Sequence, residues 1–341
     1  MLFRSHPRLG PLGARERRIA LKPEKETPPV KKFLAPLALA AALLAAPAEA
    51  ADKLSVVLDW FLNPDHATLV VARDKGFFAA EGLEVDLIAP ADPTAPPRLV
   101  AAGQADVAIT YQPDLHLSVK EGLPLVRFAT LVETPLNTVM ALADGPVKSL
   151  KDLKGKKVGY SVSGFEDAIL ATMLEKAGLK LTDVTLVDVN FALTTALVSG
   201  KVDAVVGGFR NFEATELDLA GKKAVTFFPE ENGVPAYDEL IFATRTALLA
   251  DPRLPRFVHA LEAATLWASN HPAEAWEILK KADAKLDDEL NRRAFADTLP
   301  RFAKRPGALD LGRTERFAAY MKARGLIADV PPTETWAVPT K

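Results

Sequence analysis

The chain has 341 residues, of which 49% are hydrophobic and 25% are charged, and its formal net charge is −2. This length predicts about two domains, and this composition is that of a globular protein rather than of a disordered, fibrous or polytopic membrane protein. There is no basic excess with which to hold nucleic acid, and the absence of cysteine excludes disulfides, zinc–thiolate sites, iron–sulfur clusters and nucleophilic cysteines.

The first fifty residues contain the pattern of a secretory signal peptide. Lys31 and Lys32 precede an apolar run over residues 33–48, and Ala48-Glu49-Ala50 then supplies the small residues of a cleavage site. The run is shorter than the roughly 18–20 residues that cross a bilayer. We expect export with cleavage after Ala50; a membrane anchor and a buried helix are the alternatives.

Removal of residues 1–50 makes the chain more acidic. These residues hold nine Lys/Arg and four Asp/Glu, so 33 basic and 40 acidic residues remain and the net charge becomes −7. An acidic surface favours solubility and disfavours binding to polyanions. The stretch before the apolar run is long and arginine-rich for a signal peptide, which suggests that translation starts near Val30.

After residue 50, short β-branched runs alternate with helical segments that end at glycine, which predicts α/β units on mostly parallel sheets. The predicted strands and extended segments are 54–58, 83–88, 106–109, 125–131, 138–142, 157–160, 185–189, 204–206 and 240–244. The predicted helices before residue 240 are 67–75, 96–102, 113–121, 165–177, 193–199 and 212–219. Only helices follow residue 244, at 252–270, 272–282, 287–298 and 313–324.

This order predicts two lobes with a ligand cleft between them. The first lobe would comprise residues 51–142 and 240–330, and the second lobe residues 143–239. Two single-strand crossings, near residues 138–145 and 237–244, would form the hinge of a ligand trap that closes by lobe movement. Residues 331–341 show no periodicity and contain prolines, so they are predicted to be a C-terminal tail.

Polar and aromatic residues follow the first and third predicted strands, and ligands of α/β lobes bind beyond the carboxyl ends of strands. These residues are Asp59, Trp60, Asn63, His66, Tyr111 and Gln112. Trp60 offers a flat face for stacking a ring, and Asn63 offers both a donor and an acceptor. The alternatives are that Trp60 covers the core, that Asn63 forms a turn and that His66 caps a helix.

Three segments of the second half supply further candidates. They are Ser161, Ser163 and Gly164 before a helix, Phe209, Arg210 and Glu213 after a strand, and Tyr237, Asp238 and Glu239 at the second crossing. Backbone N–H groups at a helix start can bind an acceptor. A carboxylate at the crossing could accept two N–H donors of an aminopyrimidine-like ring, or only pair with a basic residue. Arg210 would either bind an anion or neutralise Glu213.

Catalytic motifs are missing from the sequence. It contains no G-x-S-x-G, no H-E-x-x-H, no metal-spaced histidine pair, no P-loop and no dinucleotide fingerprint. We therefore predict no catalytic residue, no metal site and no cofactor.

Several segments resemble the substrate-binding proteins of ABC importers in the nitrate/sulfonate/thiamine-precursor group. The group-wide segments are LDWFLNPDHATLVVARDKGFFAAEGLEVDL, VAAGQADVAI and SLKDLKGKKVGYSVSG. The segments LDWFLNPDHA, TYQPDLHLSVKEGLPLVRFATLVETPLNTVMAL, GGFRNFEATELDLAG and FFPEENGVPAYDELIF resemble more specifically the branch that binds thiamine pyrimidine precursors.

The resemblance implies a type II periplasmic binding protein fold with a two-strand hinge and C-terminal helices. It implies a monomer that captures hydroxymethylpyrimidine or formylaminopyrimidine in the periplasm and delivers it to an inner-membrane ABC permease with its ATPase. Carried over by motif, Trp60 and Tyr111 would stack on the ring. The polar contacts would come from Asn63, Ser163, Glu213 and Tyr237 with Asp238.

Two alternatives differ in ligand or in class. The first is a binding protein for a flavin such as riboflavin, a sulfonate or nitrate, although the carboxylates near the expected cleft disfavour an anion. The second is an enzyme, because pyrimidine synthases that consume their own pyridoxal phosphate and histidine resemble this chain in outline. Those synthases use a lysine after the third strand and an iron-binding cysteine-rich stretch, whereas this chain has Thr110 at the lysine position and no cysteine.

Overall fold

The computed structural model describes residues 50–339 and contains two five-stranded mixed sheets, one in each lobe. The first sheet has the order β2-β1-β3-β10-β4, with β1 (Asp52–Val57), β2 (Leu83–Ile88), β3 (Val107–Thr110), β4 (Leu125–Val132) and β10 (Leu240–Arg245). The second has the order β7-β6-β8-β5-β9, with β5 (Asn137–Leu142), β6 (Lys157–Tyr160), β7 (Thr185–Asp188), β8 (Ala204–Phe209) and β9 (Ala224–Phe227). In each sheet four strands run in the same direction, and the fifth, β10 or β5, runs antiparallel to both of its neighbours.

Helices cover both sheets, and the predicted helices lie within two residues of their observed bounds. The first lobe has α1 (Ala67–Asp74), α2 (Phe77–Ala80), α3 (Pro96–Ala101) and α4 (Gln112–Lys120). The second has α5 (Phe165–Lys176), α6 (Leu193–Val198) and α7 (Glu213–Leu219). The C-terminal part has α8 (Arg253–Asn270), α9 (Pro272–Ala282), α10 (Glu289–Thr298) and α11 (Leu311–Ala323). None of the helices in residues 50–339 is long and apolar enough to span a bilayer.

Aromatic side chains join the first sheet to the helices on it. Phe257 of α8 stacks on Phe78 of α2 with ring centroids 5.2 Å apart, and it meets Phe242 of β10 edge to face at the same distance. All three side chains are 2% exposed or less. Burying side chains of this kind is worth about 1.5–3 kcal/mol each, so this cluster fixes α8 against the sheet.

The first lobe boundary differs from the prediction. The strand β5 was expected to end the first lobe at residue 142, but it pairs with β8 and β9 in the second sheet. The first crossing therefore lies between Val132 and Asn137 rather than near residues 138–145. The residues of β5 are almost all buried, and a continuous apolar run does not reveal which sheet a strand joins.

The predicted tail is also different, because its central part packs against the first lobe. The Arg127 N–H donates to the Trp336 carbonyl, and the Val338 N–H donates to the Arg127 carbonyl, both at 2.8 Å. These residues cover the outer edge of β4, whose backbone groups would otherwise lack partners. Trp336 is only 2% exposed, so residues 336–338 are part of the first lobe.

Charged side chains tie the two crossings together. Glu239 Oε2 accepts the backbone N–H groups of Leu136, at 2.5 Å, and Asn137, at 2.9 Å. The Asp238 carboxylate lies between the guanidinium groups of Arg127 and Arg313. The two-strand hinge is therefore a pair of adjacent segments held by buried carboxylates.

The lobes are closed on each other through the C-terminal helices. The Tyr320 hydroxyl on α11 lies 2.5 Å from the Thr172 hydroxyl on α5, and Arg324 pairs with Glu175 beside them. On α10, Arg293 pairs with Asp218 of α7 at 2.8 Å. The C-terminal helices thus contact the second lobe as well as the first.

Candidate functional site

A cavity lies between the lobes and has a volume of about 390 Å³, counting the open space at its mouth. It is lined by Asp59, Trp60, Asn63, Asp65 and Tyr111 of the first lobe and by Glu166, Leu193, Gly207, Phe209, Phe212 and Glu213 of the second. The lining combines aromatic rings with carboxyl groups and contains no lysine or arginine among the described residues.

The first-lobe wall is organised around the buried Asp59 carboxylate. It accepts hydrogen bonds from the Tyr111 hydroxyl at 3.0 Å and from His66 Nε2 at 2.9 Å. His66 Nδ1 accepts the Asn63 N–H at 3.3 Å, so the proton that His66 donates to Asp59 is on Nε2. Burial and the charge of Asp59 raise the pKa of Tyr111, which keeps its phenol neutral. His66 therefore orients Asp59 from behind and does not line the cavity.

Aromatic rings from both lobes meet around the cavity. Trp60 contacts Phe191 edge to face with centroids 4.5 Å apart, and Tyr111 stacks on Phe165 at 5.0 Å. Phe209 approaches Tyr111 edge-on at 6.4 Å. Trp60, Tyr111 and Phe209 thus give the cavity flat apolar walls, which suit a planar ring.

The second lobe contributes two buried carboxyl groups, Glu166 and Glu213. Glu213 Oε2 accepts the Phe209 N–H at 2.7 Å, and burial raises the pKa of Glu213 to about 8. Glu166 Oε2 accepts the Ser161 N–H at 2.8 Å, and burial again raises its pKa well above the ordinary value. The raised pKa of Glu213 favours its protonated form at neutral pH, in which the carboxyl can donate one hydrogen bond and accept others, and burial shifts the pKa of Glu166 in the same direction.

A third carboxyl, Asp65, joins the lobes at the side of the cavity. Its Oδ1 accepts from Asn211 Nδ2 at 2.6 Å and from the Thr298 hydroxyl at 2.7 Å. Asn211 Nδ2 also lies 2.6 Å from the Thr298 oxygen. Burial raises the pKa of Asp65 to about 6. This cluster of Asp65, Asn211 and Thr298, the interlobe latch, is buried and connects the first lobe, the second lobe and α10.

Six of the predicted site residues line the cavity, namely Asp59, Trp60, Asn63, Tyr111, Phe209 and Glu213. Two others support its walls from behind. His66 bonds to Asp59, and Ser161 gives its backbone N–H to Glu166.

The remaining predicted residues are elsewhere. Gln112 Oε1 accepts the Asp238 N–H at 2.9 Å, which places Gln112 with Tyr237, Asp238 and Glu239 at the hinge. Asp238 is paired with Arg127 and Arg313 and does not line the cavity, an arrangement that agrees with the alternative of a salt-bridge partner. The backbone bonds to Glu239 likewise give it a structural position.

Arg210, Ser163 and Gly164 also do not line this cavity. Arg210 pairs with Glu230 at 2.7 Å and covers the ring of Phe228, so it does not neutralise Glu213. Ser163 and Gly164 line a separate, more polar space between α3, α4 and the start of α5.

Five lining residues were not predicted: Asp65, Glu166, Leu193, Gly207 and Phe212. Two of them depend on each other. Gly207 has φ +97°, and a Cβ atom there would overlap the Glu166 carboxyl. The glycine pair at 207–208 inside the buried strand β8 was the available signal, because glycine inside a strand often marks a close approach of another group.

Comparison with known proteins places the chain in a family. The model of the family described as NMT1/THI5 like matches residues 63–275, which is more than half of the chain. The chain belongs to the NMT1/THI5-like family. It is 48% identical over 297 residues to a putative thiamine biosynthesis protein of Haemophilus influenzae, covering 87% of this chain and 95% of that protein.

Two further relatives of the NMT1/THI5-like chain carry more specific names. It is 40% identical to the formylaminopyrimidine-binding protein of Halalkalibacterium halodurans, covering 68% of this chain and 71% of that protein. It is 26% identical to a 4-amino-5-hydroxymethyl-2-methylpyrimidine phosphate synthase of Legionella pneumophila, covering 74% and 81%.

A solved structure confirms the fold class. The alkanesulfonate-binding protein SsuA of Xanthomonas axonopodis pv. citri aligns with a TM-score of 0.65 at 16% identity, covering 82% of this chain and 95% of that protein. At this identity the likeness concerns the fold alone. The predicted two-lobed periplasmic binding protein fold is thus confirmed.

Proposed function

We propose that this chain is the solute-binding component of an ABC importer and that it captures a thiamine pyrimidine precursor, formylaminopyrimidine or hydroxymethylpyrimidine. The observation that carries the proposal is the interlobe cavity, with flat aromatic walls and buried carboxyl groups that can both donate and accept. The relative named as a formylaminopyrimidine-binding protein, at 40% identity, supports the choice of ligand.

The chemistry of an aminopyrimidine matches these walls. Its flat ring would lie between aromatic faces such as those of Trp60 and Tyr111. Its amino group donates and its ring nitrogens accept, so a protonated Glu213 carboxyl would pair with a neighbouring donor and acceptor at once. Asn63 uses its Oδ1 to accept the Asp65 N–H at 2.8 Å, which leaves its Nδ2 group to donate to the ligand.

The same walls disfavour anionic ligands. Sulfonates and nitrate need several donors or a cation, whereas this cavity is lined by four carboxyl groups. Arg210, the cation nearest in sequence to Glu213, is paired with Glu230 outside the cavity lining. A neutral heteroaromatic ligand is therefore favoured over an anion.

Export and delivery complete the proposal. The predicted signal peptide lies outside the described residues, but the first strand begins at Asp52, directly after the predicted cleavage site at Ala50. This position supports cleavage there. We further propose that the cleaved protein is located in the periplasm and acts as a monomer that delivers its ligand to an inner-membrane permease with its ATPase. N-terminal sequencing of the exported protein tests the cleavage site, and a mature N-terminus upstream of residue 33 would contradict it.

We also propose that the chain is not an enzyme, although synthases are among its more distant relatives. The position that carries a lysine in the resembling synthases is Thr110, whose hydroxyl donates to Asp114 at 2.7 Å. Purified protein incubated with pyridoxal phosphate and ferrous iron should release no pyrimidine. Detection of a pyrimidine product by mass spectrometry would overturn this part of the proposal.

A thermal-shift panel tests the ligand. Formylaminopyrimidine, hydroxymethylpyrimidine, riboflavin, taurine and nitrate are each added to purified residues 51–341. A ligand at about 100 times its Kd stabilises the folded state by roughly 2.7 kcal/mol, so a pyrimidine should raise Tm while taurine and nitrate leave it unchanged. A shift with taurine or nitrate alone would overturn the pyrimidine proposal. Mass spectrometry of a ligand retained through native purification gives an independent identification.

A further inference from the structure

Glu166 is a cavity residue whose position depends on two backbone features. It stands in the first turn of α5 and is only 3% exposed. Its Oε2 is held by the Ser161 N–H at 2.8 Å, while the carboxyl lies against Gly207 so closely that any side chain there would overlap Oε1. Gly207 also has φ +97°, a conformation that suits glycine. The fold thus keeps space for this carboxyl at the wall of the cavity.

The surroundings of Glu166 contain acids and phenols. The titratable groups that face it or share its cavity wall are Asp167 on α5, Tyr160 at the end of β6, Tyr111 after β3, Glu239 at the second crossing, and Asp59, Asp65 and Glu213. No lysine or arginine is among the described residues that line the cavity. An ionised Glu166 would be a buried charge without a counter-charge, which is strongly unfavourable. Burial, and then the charges of Asp167 and Glu239, raise the pKa of Glu166 well above its ordinary value.

We propose that Glu166 is a specificity-determining residue that donates its carboxylic O–H to an acceptor atom of the ligand. This inference rests on the proposed function, because it concerns the same cavity. It deepens that function by defining the ligand class: a neutral molecule with a ring nitrogen or an oxygen that accepts a hydrogen bond at the Glu166 wall. An anion would satisfy the donor but would meet the carboxyl groups of Asp59 and Asp65 in the same cavity.

Two substitutions separate donation from mere packing. Glu166→Gln keeps the shape and supplies an N–H donor that cannot ionise, whereas Glu166→Leu supplies no donor. With formylaminopyrimidine as the probe, calorimetry at pH 7 should find Glu166→Gln within about threefold of wild type and Glu166→Leu about tenfold weaker. As pH rises, wild-type affinity should fall more steeply than that of Glu166→Gln, because only the wild-type side chain loses its donor on ionisation. Glu262→Gln on α8 is the matched control, because Glu262 does not line the cavity.

Infrared spectroscopy tests the protonation state without any ligand. The wild-type protein at neutral pH should show a carbonyl stretch of a protonated carboxylic acid that Glu166→Gln lacks and Glu262→Gln retains. Identical acid bands in wild type and Glu166→Gln would overturn the proposal. So would equal affinities of wild type and Glu166→Leu, or a Glu166→Gln variant as weak as Glu166→Leu. Failure of wild type to bind any pyrimidine would overturn the proposed function and the ligand role of Glu166 together, whereas failure of the variants alone would overturn only this inference.

Discussion

The interlobe latch gives a prediction about how closure contributes to affinity. Asn211 is fully buried, and its Nδ2 group donates to Asp65 Oδ1 and to the Thr298 oxygen, both at 2.6 Å. These bonds run from the second lobe to the first lobe and α10. Asn211→Ala removes the donor while the Asp65–Thr298 bond stays in place, so we expect the closed state to be destabilised.

The size of the effect follows from the groups involved. A hydrogen bond to a charged group contributes about 1.5–3 kcal/mol, and Asp65, with its pKa raised to about 6, is mostly ionised at pH 7.5. If ligand binds the closed state, a loss of this size weakens affinity by about 10- to 100-fold, since 1.4 kcal/mol corresponds to a factor of ten. The loss falls on closure and not on the core of either lobe, whose apolar contacts do not involve Asn211.

Calorimetry with formylaminopyrimidine at pH 7.5 measures the affinity, and small-angle scattering with and without ligand measures closure. Asn270→Ala is the matched control, because Asn270 is an exposed residue of α8 whose amide bonds only within its own helix. Urea unfolding followed by circular dichroism shows whether both variants are folded. The proposed role of the interlobe latch would be refuted if Asn211→Ala bound formylaminopyrimidine with an affinity within twofold of wild type and reached the same radius of gyration with ligand.

Three further predictions concern backbone, hinge and pH. Gly207→Ala should abolish binding in the calorimetric assay and lower the free energy of unfolding by about 1–3 kcal/mol through backbone strain and overlap with Glu166. Gly200→Ala is the control, because Gly200 also has a positive φ of +71° but has open space around it. This variant should lower the free energy of unfolding by about 1–2 kcal/mol and keep binding. Asp238→Asn leaves the buried Arg127 without its neighbouring carboxylate and should lower the free energy of unfolding in urea by about 3–5 kcal/mol; an unchanged midpoint would contradict the hinge pairing. Glu213 has a pKa raised from 4.5 to about 8, so its contribution to stability is complete below pH 4.5 and is lost as pH rises through 8; Tm measured from pH 5 to 9 should fall less in Glu213→Gln than in wild type.

Local patterns were sufficient to predict most of the elements. Helices such as α4 and α5 were found within two residues because their apolar spacing, their starts and their terminal glycines are encoded in adjacent residues. The strand β5 was placed in the wrong lobe because sheet membership is decided by pairing with β8 and β9, which lie far along the chain. The buried position of Trp336 was missed for the same reason, since its partner is the edge of β4.

The residues of the candidate site likewise fall into those that local sequence patterns predict and those that they miss. Trp60, Tyr111 and Glu213 follow strand ends closely, so the rule that ligands bind beyond those ends was enough to bring them to the cavity. Glu166 and Gly207 were missed because each is explained only by the other, across two elements of the second lobe. Their spacing in sequence resembles no motif, and only the close approach of carboxyl and backbone reveals their relation.

Carboxyl groups that look alike in sequence have different roles because their surroundings differ. Glu213 faces the cavity as a neutral acid, Asp65 closes the latch, and Asp238 holds the hinge between two arginines. Tyr111 and Gln112, which are adjacent in the chain, connect the cavity to the hinge. Tyr111 lines the cavity, and the Gln112 side chain accepts the backbone N–H of Asp238. Under the proposed function, a ligand that shifts Tyr111 would therefore act on the hinge through one residue.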